Sequence, residues 1–202
     1  NDADLVIISS SVTPREVPDW LKSIATPMLI NEAYVFDDLG LATGPREAAA
    51  TGSINVTAGH PIAGSFSGST TVMSPADKPN TGSPASAASV VATVGGVPTI
   101  FAYESGDQMR SGTAPARRVG FFMSYGAGVD ANAAAYTLFD NAVSWLTGSG
   151  GPPPTTTTTT TTLPPSGSGG VLLVTNRGKT SGGDANIADA IRAAGYSLTV
   201  VE

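Results

Sequence analysis

Two apolar strands and the helix between them stand at the wrong end of this chain. Val171–Val174 is an apolar run that stops at a glycine-rich turn, a helical pattern follows from Asp184 to Ala194, and a second strand runs from Tyr196 to Val201. That is a β-α-β opening, and its natural continuation is Asp4-Leu5-Val6-Ile7-Ile8, at the other end of the chain. Residues 171–202 therefore read as the beginning of an α/β domain and residues 1–148 as the rest of it. Such an order is that of a unit cut from a repeating array, or of a circular permutation.

Between the two parts, residues 149–170 change composition abruptly. Pro152-Pro153-Pro154 leads into eight threonines, then Leu163-Pro164-Pro165 and Ser-Gly alternation. No core can be packed from this. Prolines bias the backbone to an extended conformation, so roughly 20 residues at ~3.1 Å each reach on the order of 60 Å. Thr/Pro-rich composition is also that of O-glycosylated stalks, which makes Thr155, Thr156, Thr157, Thr158, Thr159, Thr160, Thr161 and Thr162 the expected glycan acceptors. A bare flexible spacer is the alternative. The triplet Asn55-Val56-Thr57 is a weaker N-glycosylation signal, since such triplets arise often by chance.

Read from 171 through the junction into 1–148, apolar strands alternate with helical segments. The expected fold is α/β: a three-layer Rossmann/flavodoxin-like, mostly parallel sheet whose first β-α-β element lies at the C-terminus. Its strands are Val171–Thr175, Leu198–Val201, Leu5–Ser9 and Pro27–Asn31, with a helix around Pro14–Ala25 in which Pro18 must sit in the first turn or break it. After Gly44 the pattern turns β-rich, with short strands at Ser53–Thr57, Thr70–Met73, Ser89–Val94, Thr99–Tyr103 and Arg118–Met123. A last amphipathic helix, Asn132–Leu146, places Tyr136, Phe139, Val143 and Leu146 on one stripe. In such a sheet the first strand lies in the middle beside the third. Residues 1–148 alone would consequently expose the backbone of a central strand, which residues 171–202 of the same or a neighbouring unit can cover.

Composition excludes several functions. Only 13% of residues are charged and the net charge is −6, so no Lys/Arg cluster is present to neutralise phosphates and no nucleic-acid partner is expected. Absence of cysteine removes disulfides, thiolate metal sites and thiol nucleophiles. No run of about 18 apolar residues exists, so no membrane span is expected.

The series Asp4-Leu-Val-Ile-Ile-Ser-Ser-Ser, Asp37-Asp38-Leu-Gly, His60-Pro-Ile-Ala, Phe101-Ala-Tyr-Glu-Ser-Gly and Ala114-Pro-Ala-Arg-Arg-Val-Gly-Phe-Phe resembles a secreted bacterial domain found beside polysaccharide-active or adhesive modules. The fold of that domain is similar to class I glutamine amidotransferases and trehalose-utilisation-type proteins. The tether resembles those of secreted bacterial polysaccharide-degrading proteins, which implies an extracellular address. In the family a helical connection separates the second and third strands. Here Glu202 would meet Asn1 almost directly, so that helix is reduced or residues are missing at the junction. The amidotransferases use a cysteine on the turn after the fourth strand, with a His and a Glu after a late strand. The matching turn, Asn31-Glu32-Ala33, has no thiol, and Phe121-Phe122-Met123-Ser124-Tyr125 has neither partner, so cysteine-dependent amide hydrolysis is not expected.

Other candidates have simpler readings. His60, the only histidine, precedes Pro61 in a turn and reads as structural, since no second His or Cys supports a metal and no serine is specified for a triad. Asp37 and Asp38 could pair as acid and base or hold a hard cation, but read as caps or solvated charges. In Asn176-Arg-Gly-Lys-Thr-Ser-Gly-Gly-Asp184 the P-loop likeness fails because its first glycine would fall at Leu173; a glycine-rich turn with Asp184 as N-cap is simpler. Arg117-Arg118 reads as a salt-bridge pair. Trp20 and Trp145 fall in amphipathic helices where packing accounts for them, while Tyr34, Phe36, Tyr103 and Tyr125 could cluster at strand ends.

The resulting expectation is a non-enzymatic extracellular structural unit. It has no cofactor, metal or catalytic residue, and its partners are copies of itself and covalent glycans. The alternative is a non-catalytic binding or accessory module of a secreted polysaccharide-degrading protein, with polysaccharide as partner. A third reading, a hydrolase of a sugar or amide, would rest on Glu32 or Asp38.

Overall fold

The computed structural model describes residues 3–148, 169–178, 180 and 182–202. In chain order the elements are β1 (Leu5–Ile8), β2 (Met28–Ile30), β3 (Ala42–Glu47), β4 (Ser53–Val56), β5 (Gly68–Thr71), β6 (Asn80–Pro84), β7 (Ser89–Val94), β8 (Val97–Tyr103), β9 (Arg118–Gly120), α1 (Tyr125–Asp130), α2 (Ala133–Leu146), β10 (Gly170–Val174), α3 (Gly183–Ala193) and β11 (Ser197–Val201). Nine of the strands form one sheet in the order β11-β10-β1-β2-β9-β8-β7-β4-β5. From β11 to β9 every pairing is parallel, and from β9 to β5 every pairing is antiparallel. The chain is thus α/β, with a large central sheet whose parallel half lies on the side of β10 and β11. β3 and β6 form a separate two-stranded ribbon.

β10 is an interior strand. It pairs with β1 over Leu5↔Val171, Val6↔Leu172, Ile7↔Leu173 and Ile8↔Val174, and with β11 on its other edge. Because successive side chains of a strand point to opposite faces, the continuous apolar run Leu5–Ile8 feeds two cores at once. Leu5, Ile7, Leu29, Val119 and Leu173 pack under Leu138 and Phe139 of α2 and Ile187 and Ile191 of α3. Val6, Ile8, Met28 and Ile30 pack on the opposite side with Val35, Phe36 and Leu41. Full burial of each such side chain contributes about 1.5–3 kcal/mol. Among the described residues no helix is long and apolar enough to cross a membrane.

All three α-helices contribute to the first of these cores. α2 begins where the Asn132 side chain accepts from the backbone N–H groups of Ala134 and Ala135, at 2.9 and 3.2 Å. Leu138, Phe139, Ala142, Val143 and Leu146 then recur at helical spacing on its buried side, and Tyr136 is half-buried. The helix expected at Pro14–Ala25, which would have covered the other face, does not form. Two short 3-10 turns, Pro14–Glu16 and Asp19–Ser23, replace it. Pro18 lacks the N–H that an α-helix needs there and its ring crowds the preceding turn, so the helix breaks at that residue. The second face is therefore covered by 3-10 turns and by the β3/β6 ribbon. The sequence reading missed that ribbon, because Gly44-Pro45 and Pro84 interrupt it.

The β10/β11 side is less completely covered. Leu172, Val174 and Val201, on the face opposite α3, are only half-buried. Expected strand ends also shift: Arg118–Met123 shortens to β9, and Thr70–Met73 moves to β5.

Candidate functional site

Each of three parallel strands ends in one polar residue. Immediately beyond β10, β1 and β2 lie Thr175, Ser9 and Asn31, each continuing the ladder by one hydrogen bond: Thr175 N–H to the Val201 carbonyl, 2.9 Å; Ser9 N–H to Val174, 3.0 Å; Asn31 N–H to Ile8, 2.8 Å. Phe121 continues β9 in the same way, donating to the Ile30 carbonyl at 2.9 Å. In a parallel sheet, residues in register share a face. Thr175, Ser9, Asn31 and Phe121 therefore form one layer on the helix-covered face, directly above Leu173, Ile7, Leu29 and Val119, and all four are buried.

This layer is polar where the one beneath it is apolar. The Ser9 hydroxyl donates to the Asp184 carboxylate in the first turn of α3 and accepts from the Ser11 N–H at 3.1 Å. The Asn31 backbone carbonyl accepts from the side-chain amide of Asn80. By contrast, both polar atoms of the Asn31 side chain and the hydroxyl of Thr175 have no hydrogen-bond partner among the described residues. Each such group costs about 1–3 kcal/mol if left unpaired. The helices close tightly above: a Cβ on Gly128 of α1 would lie 3.3 Å from the Gly183 Cα of α3. Ser124 caps α1, donating to the Lys78 carbonyl at 2.6 Å.

Glu32, next to Asn31, is buried and accepts from the Tyr34 N–H at 2.9 Å. Burial pushes its carboxyl up to about 7, helped by the nearby Glu47 and opposed by the Tyr34 hydrogen bond. Chemically the layer is a closed set of buried hydrogen-bonding groups with one carboxylate, that of Asp184, bonded into it. A serine beside a carboxylate, without a histidine to take its proton, is not an activated nucleophile of the triad kind.

His60 is remote from it. It lies at the opposite end of the sheet, where β9 begins. Its Nδ1 accepts from the Ile62 N–H at 3.2 Å, holding the turn Pro61–Ala63, and its ring lies 5.1 Å from that of Trp145. Burial lowers its pKa. Arg117 lies 4.7 Å over Trp145 and pairs with Glu104 at 2.8 Å. Among the described residues Arg118 makes no salt bridge, contrary to the expected ion-pair role: it is buried and donates to the carbonyls of Ile24 (2.5 Å), Thr26 (2.8 Å) and Arg117 (3.1 Å), and desolvation brings it down to about 10.

Asp37 and Asp38 are exposed, with Asp37 accepting from the Asp38 N–H at 3.2 Å. Among the described residues no group of three His, Cys, Asp or Glu could hold a metal ion. Asp184 is not the cap of α3. Gly182, whose positive φ suits glycine, takes that position, while the Asp184 carboxylate is engaged by Ser9. Trp145 is buried as expected, but Trp20 is 62% exposed because the helix meant to bury it does not form. Of the four aromatics, Phe36 and Tyr103 are in the core, and Tyr34 and Tyr125 are exposed after β2 and β9. Asn55 is exposed on β4. Thr155 to Thr162 lie outside the described residues, as does Lys179.

The polar layer was missed in the sequence, although a signal exists: three apolar runs each stop at a single polar residue. Comparison with protein-family models, curated proteins and solved structures finds no match to this chain.

Proposed function

We propose that this chain is an extracellular structural repeat. It builds a fibre or surface stalk in which each bead is completed by a β-α-β element delivered across a glycosylated Thr/Pro tether, and its action is mechanical and steric. The observation that carries the reading is the place of β10: an interior strand paired along its length with β1, yet joined to the rest of the chain only through residues 149–168. Counted from β10, the parallel half runs second, first, third, fourth, fifth (β11, β10, β1, β2, β9), the order of flavodoxin-like sheets. This supports a Rossmann-like unit, similar to the amidotransferase-type domain, whose first element is displaced to the C-terminus.

The ends of the tether support the same reading. The Thr147 hydroxyl lies 3.2 Å from that of Tyr196, and the neighbouring Ser197 N–H donates to the Gly169 carbonyl at 3.1 Å. A stalk able to reach on the order of 60 Å thus starts and finishes at neighbouring points. That reach is of use in joining one bead to another. Direct covalent joining of Glu202 to Asn1 would leave five residues between β11 and β1, whereas parallel strands need a crossover of about a dozen. A covalent array therefore requires a longer crossover. By the right-handed rule it would lie on the face opposite α3, where Leu172, Val174 and Val201 are half-buried. Otherwise copies exchange β10 and β11 without a covalent join.

The absence of cysteine makes a clean test possible. Val6→Cys and Leu172→Cys stand opposite each other on β1 and β10. After oxidation, exchange between copies gives a ladder of dimers and higher species on a non-reducing gel. A monomeric cross-linked product rejects exchange, and free thiols reject the pairing. Mass spectrometry of native material should show sugar-sized mass increments on the peptide holding Thr155 to Thr162.

A further inference from the structure

We propose that the outer edge of β11 is a pairing surface for a second copy of this chain, joined antiparallel about a two-fold axis at Thr199 into one continuous sheet. The inference goes beyond the fibre reading and does not depend on it. Self-completed, exchanged and covalently joined beads all carry β10 and β11 together and present the same edge.

β11 ends the nine-stranded sheet, with β10 on one side and no strand on the other among the described residues. The Ser197 N–H donates to the Gly169 carbonyl at 3.1 Å, and the Val201 carbonyl accepts from the Thr175 N–H at 2.9 Å. Alternation along a strand therefore turns the backbone groups of Ser197, Thr199 and Val201 inward to β10, and those of Leu198 and Val200 outward. Among the described residues no side chain hydrogen-bonds to these outward groups.

Sheet edges that stay unpaired are blunted by charge, by proline, by a break in the strand or by a covering group. The opposite edge, β5, has such devices. It reads Gly-Ser-Thr-Thr, begins at Gly68 with a φ of +68°, and its Thr71 carbonyl accepts from the side-chain amide of Asn132 at 3.0 Å. β11 reads Ser-Leu-Thr-Val-Val and has no charge, proline or glycine; its β-branched residues are those that favour strand pairing.

This edge is complementary to itself. With Thr199 opposite its own copy, Leu198 stands opposite the partner's Val200 and Val200 opposite the partner's Leu198, so the outward N–H and C=O groups of both residues are paired. Leu198 and Val200 lie in register with Val171 and Leu173 on the face that α3 covers, and both are half-buried in the single copy. Each gains an apolar neighbour across the new pair. Thr199, exposed on the other face, meets its copy in a non-hydrogen-bonded pair with Cα atoms about 4.5 Å apart, where two threonine hydroxyls can bond. An edge of five residues is small beside the ~800 Å² per partner of a stable dimer, so the association is weak and reversible.

Sedimentation velocity on the full chain, from about 5 to about 500 µM, tests the pairing. We expect the mass to double as concentration rises. Thr199→Lys, at an exposed position, sets two like charges against each other on the axis. It should hold the lower mass throughout and keep the parent's unfolding midpoint at the lowest concentration. Because the chain has no cysteine, Thr199→Cys and Ser197→Cys report the register. Oxidation should cross-link Thr199→Cys at least about tenfold faster, since Ser197 would stand more than ~13 Å from its own copy, beyond disulfide reach. Should Thr199→Lys not fold, the two cysteine variants carry the comparison. The proposal is overturned if the mass does not rise with concentration, or if the two cysteines cross-link equally. It is also overturned if Thr199→Lys associates like the parent, which would mean strand exchange or another surface.

Discussion

The Ser9 hydroxyl donates to the carboxylate of Asp184, 175 residues further along the chain, and both groups are buried. The bond ties the end of β1 to the first turn of α3, so it bears directly on the docking of the C-terminal element. Ser9→Ala or Asp184→Ala should each cost about 2 kcal/mol in denaturant unfolding. The double variant should cost less than the two together, since removing both partners leaves no orphan. Hydrogen exchange should report the loss first in β10 and β11.

Stability should fall as pH rises through the range set by Glu32. Its folded pKa of about 7 lies above the ordinary 4.5, so the folded state holds the proton more tightly than the unfolded one between these values. Stability from this group is full below pH 4.5 and is lost as pH climbs to 7, on the order of 2 kcal/mol. Asp140, raised to about 6 by burial, adds in the same direction, and His60, lowered by burial, opposes it below its ordinary 6.5. Subtracting the pH profile of Glu32→Gln from that of the parent isolates the effect; a difference that does not change with pH contradicts it.

Gly120 is a glycine because of Phe101. The two are opposed on β9 and β8, and the Phe101 ring lies where a Cβ of residue 120 would go. Gly120→Ala should destabilise by about 3 kcal/mol. Adding Phe101→Leu should recover part of that loss, because it clears the space. Thermal melts of the single and double variants measure both effects.

The two tryptophans should separate in fluorescence. Acrylamide should quench Trp20 freely and leave Trp145, packed between His60 and Arg117, largely protected. Trp20→Ala should change stability by no more than about 0.5 kcal/mol, whereas Trp145→Ala should cost about 3–5 kcal/mol. Protection of Trp20 as strong as that of Trp145 would contradict the exposure of residue 20.

What could be read directly from the residues is what local spacing controls. Continuous apolar runs at Leu5–Ile8 and Val171–Val174 mark strands, the first buried on both faces and the second on one, the spacing of Leu138, Phe139 and Val143 marks a helix, and 149–170 cannot pack. Pro18 posed the question of whether the first helix would survive, and only the backbone around it answered, exposing Trp20 in the process. The candidate site was legible only as three strand ends. Thr175, Ser9 and Asn31 become one layer through register, and register is set by hydrogen bonds between strands far apart in sequence. The same holds for Asp184, which reads locally as a cap and is recruited by a serine at the other end of the chain. Periodicity is a property of neighbours along the chain; which buried polar atoms find partners, and which are left without, depends on contacts that exist only after the chain has folded.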